Sequence, residues 1–174
     1  MKKHEEIKQT IFLIKNDFTL ETKELISMFL KIFNILEVDS LSHESYVKYD
    51  IDADYVKIKI VSIDSIQMNF SFEFFKGLTE IFIDDSIELI LQYRFKNSDD
   101  AFDYFKKCLF CEIYASYFKN KDDKIIKYNY KFILYDKVIM EIGNNCFFLR
   151  IFCPKSLNKK YHPWINKIDY EIDR

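Results

Sequence analysis

Apolar and polar residues alternate strictly along SIQMNFSFEF, residues 65–74, and this period of two constrains the fold more than any other feature. Every second side chain of a β-strand points to the same face of its sheet. One face of this segment therefore carries only Ile66, Met68, Phe70, Phe72 and Phe74, and the other carries Ser, Gln, Asn and Glu. Such a strand is typical of an antiparallel sheet with one face on the core and one in water.

Similar patterns, bounded by Asn, Asp, Ser or Gly, predict further strands on both sides of this segment. They cover residues 54–63, 78–83 and 86–95, then 124–135, 137–142 and 146–153, with a possible edge strand at 46–50. The sequence Gly143-Asn144-Asn145 suits a hairpin turn between the last two. The tail from Pro154 to Arg174 is predicted to fold back as a short helix or a strand.

Helical spacing of apolar residues appears before and between these groups of strands. Residues 7–18 read as a helix, although the run IFLI (11–14) also fits a short buried strand. A second helix is predicted from the N-cap Thr19 to about Glu37. A central helix over about residues 99–119 follows Ser98, with Phe102, Phe105, Leu109, Ile113 and Tyr117 on its apolar face.

Runs of strands separated by helices, rather than alternating β-α-β units, predict the α+β class. We expect N-terminal helices, a mainly antiparallel sheet of about six to eight strands in two meanders, and the central helix packed on the sheet. Residues 1–174 should form one domain, because no linker rich in Gly, Ser or Pro interrupts them. No segment resembles a membrane span or a signal peptide. A cytoplasmic location with reduced cysteines is expected.

Glycine is too scarce for several common catalytic and nucleotide-binding motifs. The chain has only Gly77 and Gly143, whereas a phosphate-binding loop needs clustered glycines that let the backbone approach the phosphate. P-loop and Rossmann sites are therefore excluded. The G-x-S-x-G nucleophile elbow is also absent.

Two candidate sites built on cysteine or histidine have weak support. Cys108 and Cys111 share a face of the predicted helix, whereas Cys146 and Cys153 are seven residues apart on a strand and point to opposite faces. Four cysteines so placed do not converge on one zinc ion, so core packing is the better interpretation. His43 has Ser and Glu beside it, which makes acid–base chemistry conceivable, but a solvated loop histidine is favoured.

The segment YDIDADY (49–55) places Asp50, Asp52 and Asp54 at every second position and resembles the start of a calcium-binding loop. The EF-hand pattern requires Gly at the sixth position and Glu at the twelfth, where this chain has Tyr55 and Val61. If the segment is extended, all three carboxylates lie on one face and suit a divalent ion. The alternative is a solvated turn or edge strand whose charges discourage pairing with other chains.

Charge is unevenly distributed along the chain, although the formal net charge is only −2. Residues 1–38 are neutral, residues 39–103 carry fourteen acidic and six basic residues, and residues 104–174 carry fourteen basic and eight acidic residues. An acidic surface repels nucleic acid and accelerates association with basic proteins. Aromatics interleaved with lysines in KIIKYNYKF (124–132) leave a weaker case for nucleic-acid binding.

These observations favour a non-enzymatic protein-binding module without a cofactor or metal. We expect it to be an immunity or antitoxin type of protein that docks an acidic surface on a basic, toxin-like protein, for example a nuclease, with no nucleic-acid or membrane partner. The predicted contact residues are Asp50, Asp52, Asp54, Glu73, Asp84, Asp85 and Glu88. One alternative is a small enzyme or a small-molecule or metal-binding protein that uses the 50–54 aspartates and the aromatic sheet face. Another is a secretion-type chaperone or adaptor.

Overall fold

Three α-helices and nine β-strands make up the part of the chain that the computed structural model describes, residues 3–36, 41–83, 91–95, 98–143 and 155–165. The helices are α1 (Lys3–Ile14), α2 (Leu20–Phe33) and α3 (Ser98–Phe110), with a short 3₁₀ helix, Lys15–Asp17, between α1 and α2. No helix in the described ranges is long and apolar enough to cross a membrane. The strands form two antiparallel sheets, which confirms the predicted α+β class.

The first sheet is a meander in which each strand pairs with the next along the chain. Its strands are β1 (Tyr46–Asp50), β2 (Tyr55–Ile60), β3 (Phe70–Phe75), β4 (Leu78–Ile83) and β5 (Leu91–Phe95). The two faces of this sheet follow from the alternation, because every second position of β2, β3 and β4 points inward and the apolar side chains at these positions are almost completely buried. These inward residues are Val56, Ile58, Ile60, Phe70, Phe72, Phe74, Ile81 and Ile83.

The second sheet places its strands in the order β8-β7-β6-β9. They are β6 (Glu112–Lys119), β7 (Ile125–Leu134), β8 (Lys137–Gly143) and β9 (Lys155–Tyr161). The predictions for β7 and β8 are confirmed, and the start of the tail forms a strand that pairs with β6. The strand predicted at 146–153 lies outside the described residues.

Several boundaries differ from the sequence prediction: α1 begins and ends four residues earlier than predicted, α2 ends at Phe33 and β2 ends at Ile60, and the largest differences are in α3 and β3. The central helix ends at Phe110 rather than near 119, because Ile113, Ala115 and Tyr117 alternate into the core and pair with β7 and β9. The strand predicted from residue 65 begins at Phe70, since a hydrogen bond of 3.0 Å from the Ser62 backbone N–H to the side chain of Asn69 closes the preceding residues into a loop.

The core lies where α2 and α3 pack on the inner face of the first sheet. The ring of Phe29 on α2 lies 4.8 Å from that of Phe72 and 5.7 Å from that of Phe105 on α3, measured between ring centroids. Trp164, after β9, donates its indole N–H to the Met68 carbonyl at 2.7 Å. These contacts join elements that are far apart in the sequence, so the helices and both sheets share buried apolar residues.

Helix α1 is attached to the end of α2 by a buried histidine. The His4 side chain is 1% exposed, and its Nε2 donates to the Phe33 carbonyl oxygen at 2.9 Å. Its ring centroid lies 4.8 Å from that of Phe33. Because Ile7, Ile11 and Ile14 are also buried, one stripe of α1 packs inward while the opposite side faces water.

Candidate functional site

The aspartate triplet lies at the hairpin that joins β1 to β2. Strand β1 ends at Asp50, β2 starts at Tyr55, and residues 51–54 form a turn between them. The turn is stabilised by a hydrogen bond of 3.1 Å from the Ala53 N–H to Oδ1 of Asp50, and Asp54 has a positive φ of 51°. Because this segment is not extended, the three carboxylates do not share one face.

Asp54 turns into the protein and is held by the start of α2. Its side chain accepts hydrogen bonds from the Thr19 N–H at 3.0 Å, from the Thr19 hydroxyl at 2.7 Å and from the Thr22 hydroxyl at 2.7 Å. The Lys76 N–H donates to it at 3.0 Å. Burial raises the pKa of the Asp54 carboxyl, but these hydrogen bonds more than offset that effect and hold the pKa below its ordinary value.

The Asp54 carboxylate therefore joins three parts of the fold. Thr19 is the N-cap of α2, as predicted, and Lys76 lies in the turn between β3 and β4. In that turn the Gly77 N–H donates to the Thr22 hydroxyl at 3.1 Å, and Gly77 has a φ of +70°, which glycine adopts readily. Asp54 is only 8% exposed, so its carboxylate holds the structure together and is not presented to a partner.

The exposed side chains around this hairpin form what we call the β1 edge surface: Tyr46, Lys48, Tyr49, Asp50, Ile51 and Asp52. Tyr46, Tyr49 and Ile51 are 37%, 45% and 43% exposed, and both aspartates are exposed. Within the described residues β1 pairs only with β2, so it is an edge strand. Tyrosine is enriched in protein interfaces because it offers a large contact area and a hydrogen-bonding hydroxyl. The surface thus combines apolar contact area with two carboxylates and one ammonium group, that of Lys48.

Glu73 is placed differently from the hairpin aspartates. It lies on the outer face of the first sheet, and its carboxylate is 2.9 Å from the ammonium group of Lys57 on the neighbouring strand. Burial and the adjacent Glu73 carboxylate raise the pKa of the Tyr55 phenol. The charge of Glu73 is thus compensated within the sheet. Asp84, Asp85 and Glu88 lie outside the described residues.

The metal-binding alternative gains no ligand cluster from the described residues. Across the described ranges no three His, Cys, Asp or Glu side chains are grouped as a metal ion would require. Cys108 and Cys111 are buried, and burial raises the pKa of the Cys108 thiol well above its ordinary value. Cys146 and Cys153 are outside the described residues. His43 is exposed in a turn.

A groove of about 720 Å³ lies between α1 and α2, and sequence reasoning missed it. Neither the hairpin aspartates nor His43 line it. Its most exposed apolar residues are Phe12 and Leu13, at 65% and 75%. The run IFLI (11–14) indicates that some apolar side chains of this helix are exposed, because four consecutive apolar residues on a helix cannot all face the same core.

Comparison with known proteins adds no family. The sequence matches no protein-family model, and neither a curated protein nor a solved structure is significantly similar to it. Within the described residues, the β1 edge surface and the groove between α1 and α2 are the two exposed features suited to binding a partner.

Proposed function

We propose that the protein is a non-enzymatic protein-binding module that docks its β1 edge surface on a positively charged partner. The observation that carries this proposal is that exposed Asp50 and Asp52 lie at a hairpin whose edge strand also exposes Tyr46 and Tyr49. Aromatic side chains supply contact energy at the centre of an interface, and charges at its rim steer the encounter.

The partner that suits this surface best is a basic toxin, which makes the protein an immunity or antitoxin type of inhibitor acting in the cytoplasm. A nuclease cleft is positively charged because it binds phosphates. Carboxylates at the tip of a hairpin could occupy such a cleft in place of phosphates. The turn is well suited to this role, since the hydrogen bonds of Asp54 hold it against α2 and limit the entropy lost on binding.

Reversal of the hairpin charge should slow association with the partner. We expect Asp50→Lys/Asp52→Lys to lower the association rate constant by about tenfold at low salt, because the steering field is reversed at the contact. The difference should shrink in high salt, where charges are screened. The partner is first isolated with the wild-type protein from the source cell, and the rates are then measured by stopped-flow fluorescence.

A matched control distinguishes the effect of charge at the hairpin on the association rate from the effect of the total charge of the protein. Asp100→Lys/Asp122→Lys changes the net charge equally at exposed positions on α3, which packs against β5 at the opposite edge of the first sheet from β1, and on the turn after β6. It should leave the association rate within about twofold of the wild-type rate. Equal slowing by both double variants, or no slowing by either, would rule out docking through the hairpin.

The groove between α1 and α2 favours one second candidate, a chaperone or adaptor. Such a protein should form dimers and present a long apolar groove to its client. The groove is present, with Phe12 and Leu13 exposed. Light scattering tests the other requirement, and a monomer at all accessible concentrations would count against this candidate.

A further inference from the structure

The groove between α1 and α2 is elongated, because its walls are stripes along two helices. Glu5, Lys8 and Phe12 line it from α1 at spacings of three and four residues, which places them on one side of that helix. Ser27, Leu30 and Asn34 line it from α2 in the same way. At 1.5 Å per residue each stripe is about 10 Å long, or two helical turns. A groove of this shape suits a third helix lying along the first two.

Apolar side chains that are open to water line the groove. Phe12 and Leu13 are among the most exposed large apolar side chains of the described residues, and Leu30, which lines the groove from α2, is partly buried. The pair is followed by Lys15, whose ammonium group lies 4.8 Å from the centroid of the Phe12 ring. Adjacent exposed apolar residues in a concave site are characteristic of binding grooves. Covering Phe12 and Leu13 would remove apolar surface from water.

The rim of the groove is positively charged. Lys8, Lys15 and Lys31 contribute three cations, whereas Glu5 is the single acidic residue in the lining. The Glu5 carboxylate already lies 3.5 Å from the Lys8 ammonium group, and Lys31 is exposed. The rim therefore favours an occupant with negative charge on both sides of its apolar stripe. A second copy of the chain, placed symmetrically, would bring the same lysines to this rim and is disfavoured by repulsion.

We propose that the groove between α1 and α2 binds an acidic amphipathic helix of a partner protein. The apolar stripe of that helix covers Phe12, Leu13 and Leu30, and its acidic residues pair with Lys8, Lys15 and Lys31. No residue of the β1 edge surface lines this groove, and the two surfaces favour partners of opposite charge. The protein would then hold two partners, or two parts of one partner, at different surfaces.

A model peptide tests the site directly. The probe is a fluorescent peptide of about 16 residues made of Glu, Ala and Leu, with leucines at spacings of three and four, long enough to form a helix. We expect it to bind the full chain and to shift the NMR signals of α1 and α2. Phe12→Ser/Leu13→Ser and, separately, Lys15→Glu/Lys31→Glu should each weaken binding by about tenfold, as measured by anisotropy.

Matched controls use exposed residues of the same type elsewhere. Leu20→Ser changes an apolar residue that is 67% exposed and outside the groove lining, and Lys121→Glu/Lys137→Glu reverses two exposed charges near the second sheet. Both should leave binding unchanged, and so should Asp50→Lys/Asp52→Lys, which tests only the β1 edge surface. All of the variants change exposed or half-exposed residues, so they should fold.

Three results would overturn the proposal. Equally tight binding of a scrambled peptide of the same composition would show that the groove does not recognise the apolar stripe of an amphipathic helix. A shift of the same signals by dodecanoate, without a shift by the peptide, would identify a small anionic amphiphile as the occupant. Self-association abolished by Phe12→Ser/Leu13→Ser would show that the groove is occupied by a second copy of this chain.

Discussion

Asp54→Ala should lower the free energy of unfolding by about 3 kcal/mol, because the loss of a buried carboxylate leaves several donors without an acceptor. The Thr19 N–H, the Thr22 hydroxyl and the Lys76 N–H all donate to it at 2.7–3.0 Å. Alanine is also disfavoured at the positive φ of this position. Urea denaturation followed by the fluorescence of Trp164, the one tryptophan of the chain, measures the change.

Asp52→Ala is the control for this prediction. Asp52 lies in the same turn and carries the same charge, but it is exposed, so its loss should change the free energy of unfolding by no more than about 0.5 kcal/mol. Similar destabilisation by both variants would mean that charge in the turn matters rather than the hydrogen bonds of Asp54.

The contribution of Asp54 to the free energy of unfolding should also depend on pH. Its pKa is lower in the folded protein than the ordinary value of 3.8, so the carboxylate stabilises the fold above that value. This contribution is lost as the pH falls through the folded pKa, where the carboxyl becomes protonated. The stability difference between the wild type and Asp54→Asn should therefore be largest near neutral pH and shrink below about pH 4. A constant difference down to pH 2.5 would contradict the proposed role of the charge.

Phe29→Ala should lower the free energy of unfolding by about 4 kcal/mol, which is typical of a cavity left by a buried phenylalanine. The Phe29 side chain is 0% exposed, and its ring lies within 6 Å of those of Phe72, Phe74 and Phe105, centroid to centroid. One truncation thus removes contacts between α2, α3 and the first sheet. Urea denaturation monitored by Trp164 fluorescence again gives the change.

Phe12→Ala is the matched control, because it truncates the same residue type on the neighbouring helix. The Phe12 side chain is 65% exposed, so the loss of stability should stay below about 1 kcal/mol even with the contact to Lys15 removed. A loss comparable to that of Phe29→Ala would show that Phe12 is covered in solution. Such a result would also argue against an open groove between α1 and α2.

The strands were predictable because their signal is local. In β2 and β3 the burial of Val56, Ile58, Phe70 and Phe72 follows directly from the alternation of apolar residues. The end of α3 was not predictable in this way. Ile113 fits the four-residue spacing of the preceding helix, and it also fits the two-residue spacing of β6. Pairing with β7 and β9, which lie later in the chain, selects the strand.

In the candidate site, too, some features follow from the local sequence and others depend on tertiary contacts. Asp50, Asp52 and Asp54 have nearly equivalent neighbours in the sequence. The sequence therefore predicts that all three belong to one acidic surface. Only the turn, together with the threonines at the start of α2, separates the buried Asp54 from the two exposed aspartates. Glu73 was predicted to be a partner contact, but its pairing with Lys57 depends on the register between β2 and β3.

The sequence by itself determined the α+β class, the positions of most strands and the acidic character of residues 39–103, because periodicity and composition are properties of neighbouring residues. Tertiary structure alone decided which acids face water, and it left Phe12 and Leu13 outside the core. Those outcomes depend on contacts between segments far apart in the chain: Asp54 is held by residues 32 and 35 positions earlier. Such contacts arise only when α2, the hairpin and the sheet pack together.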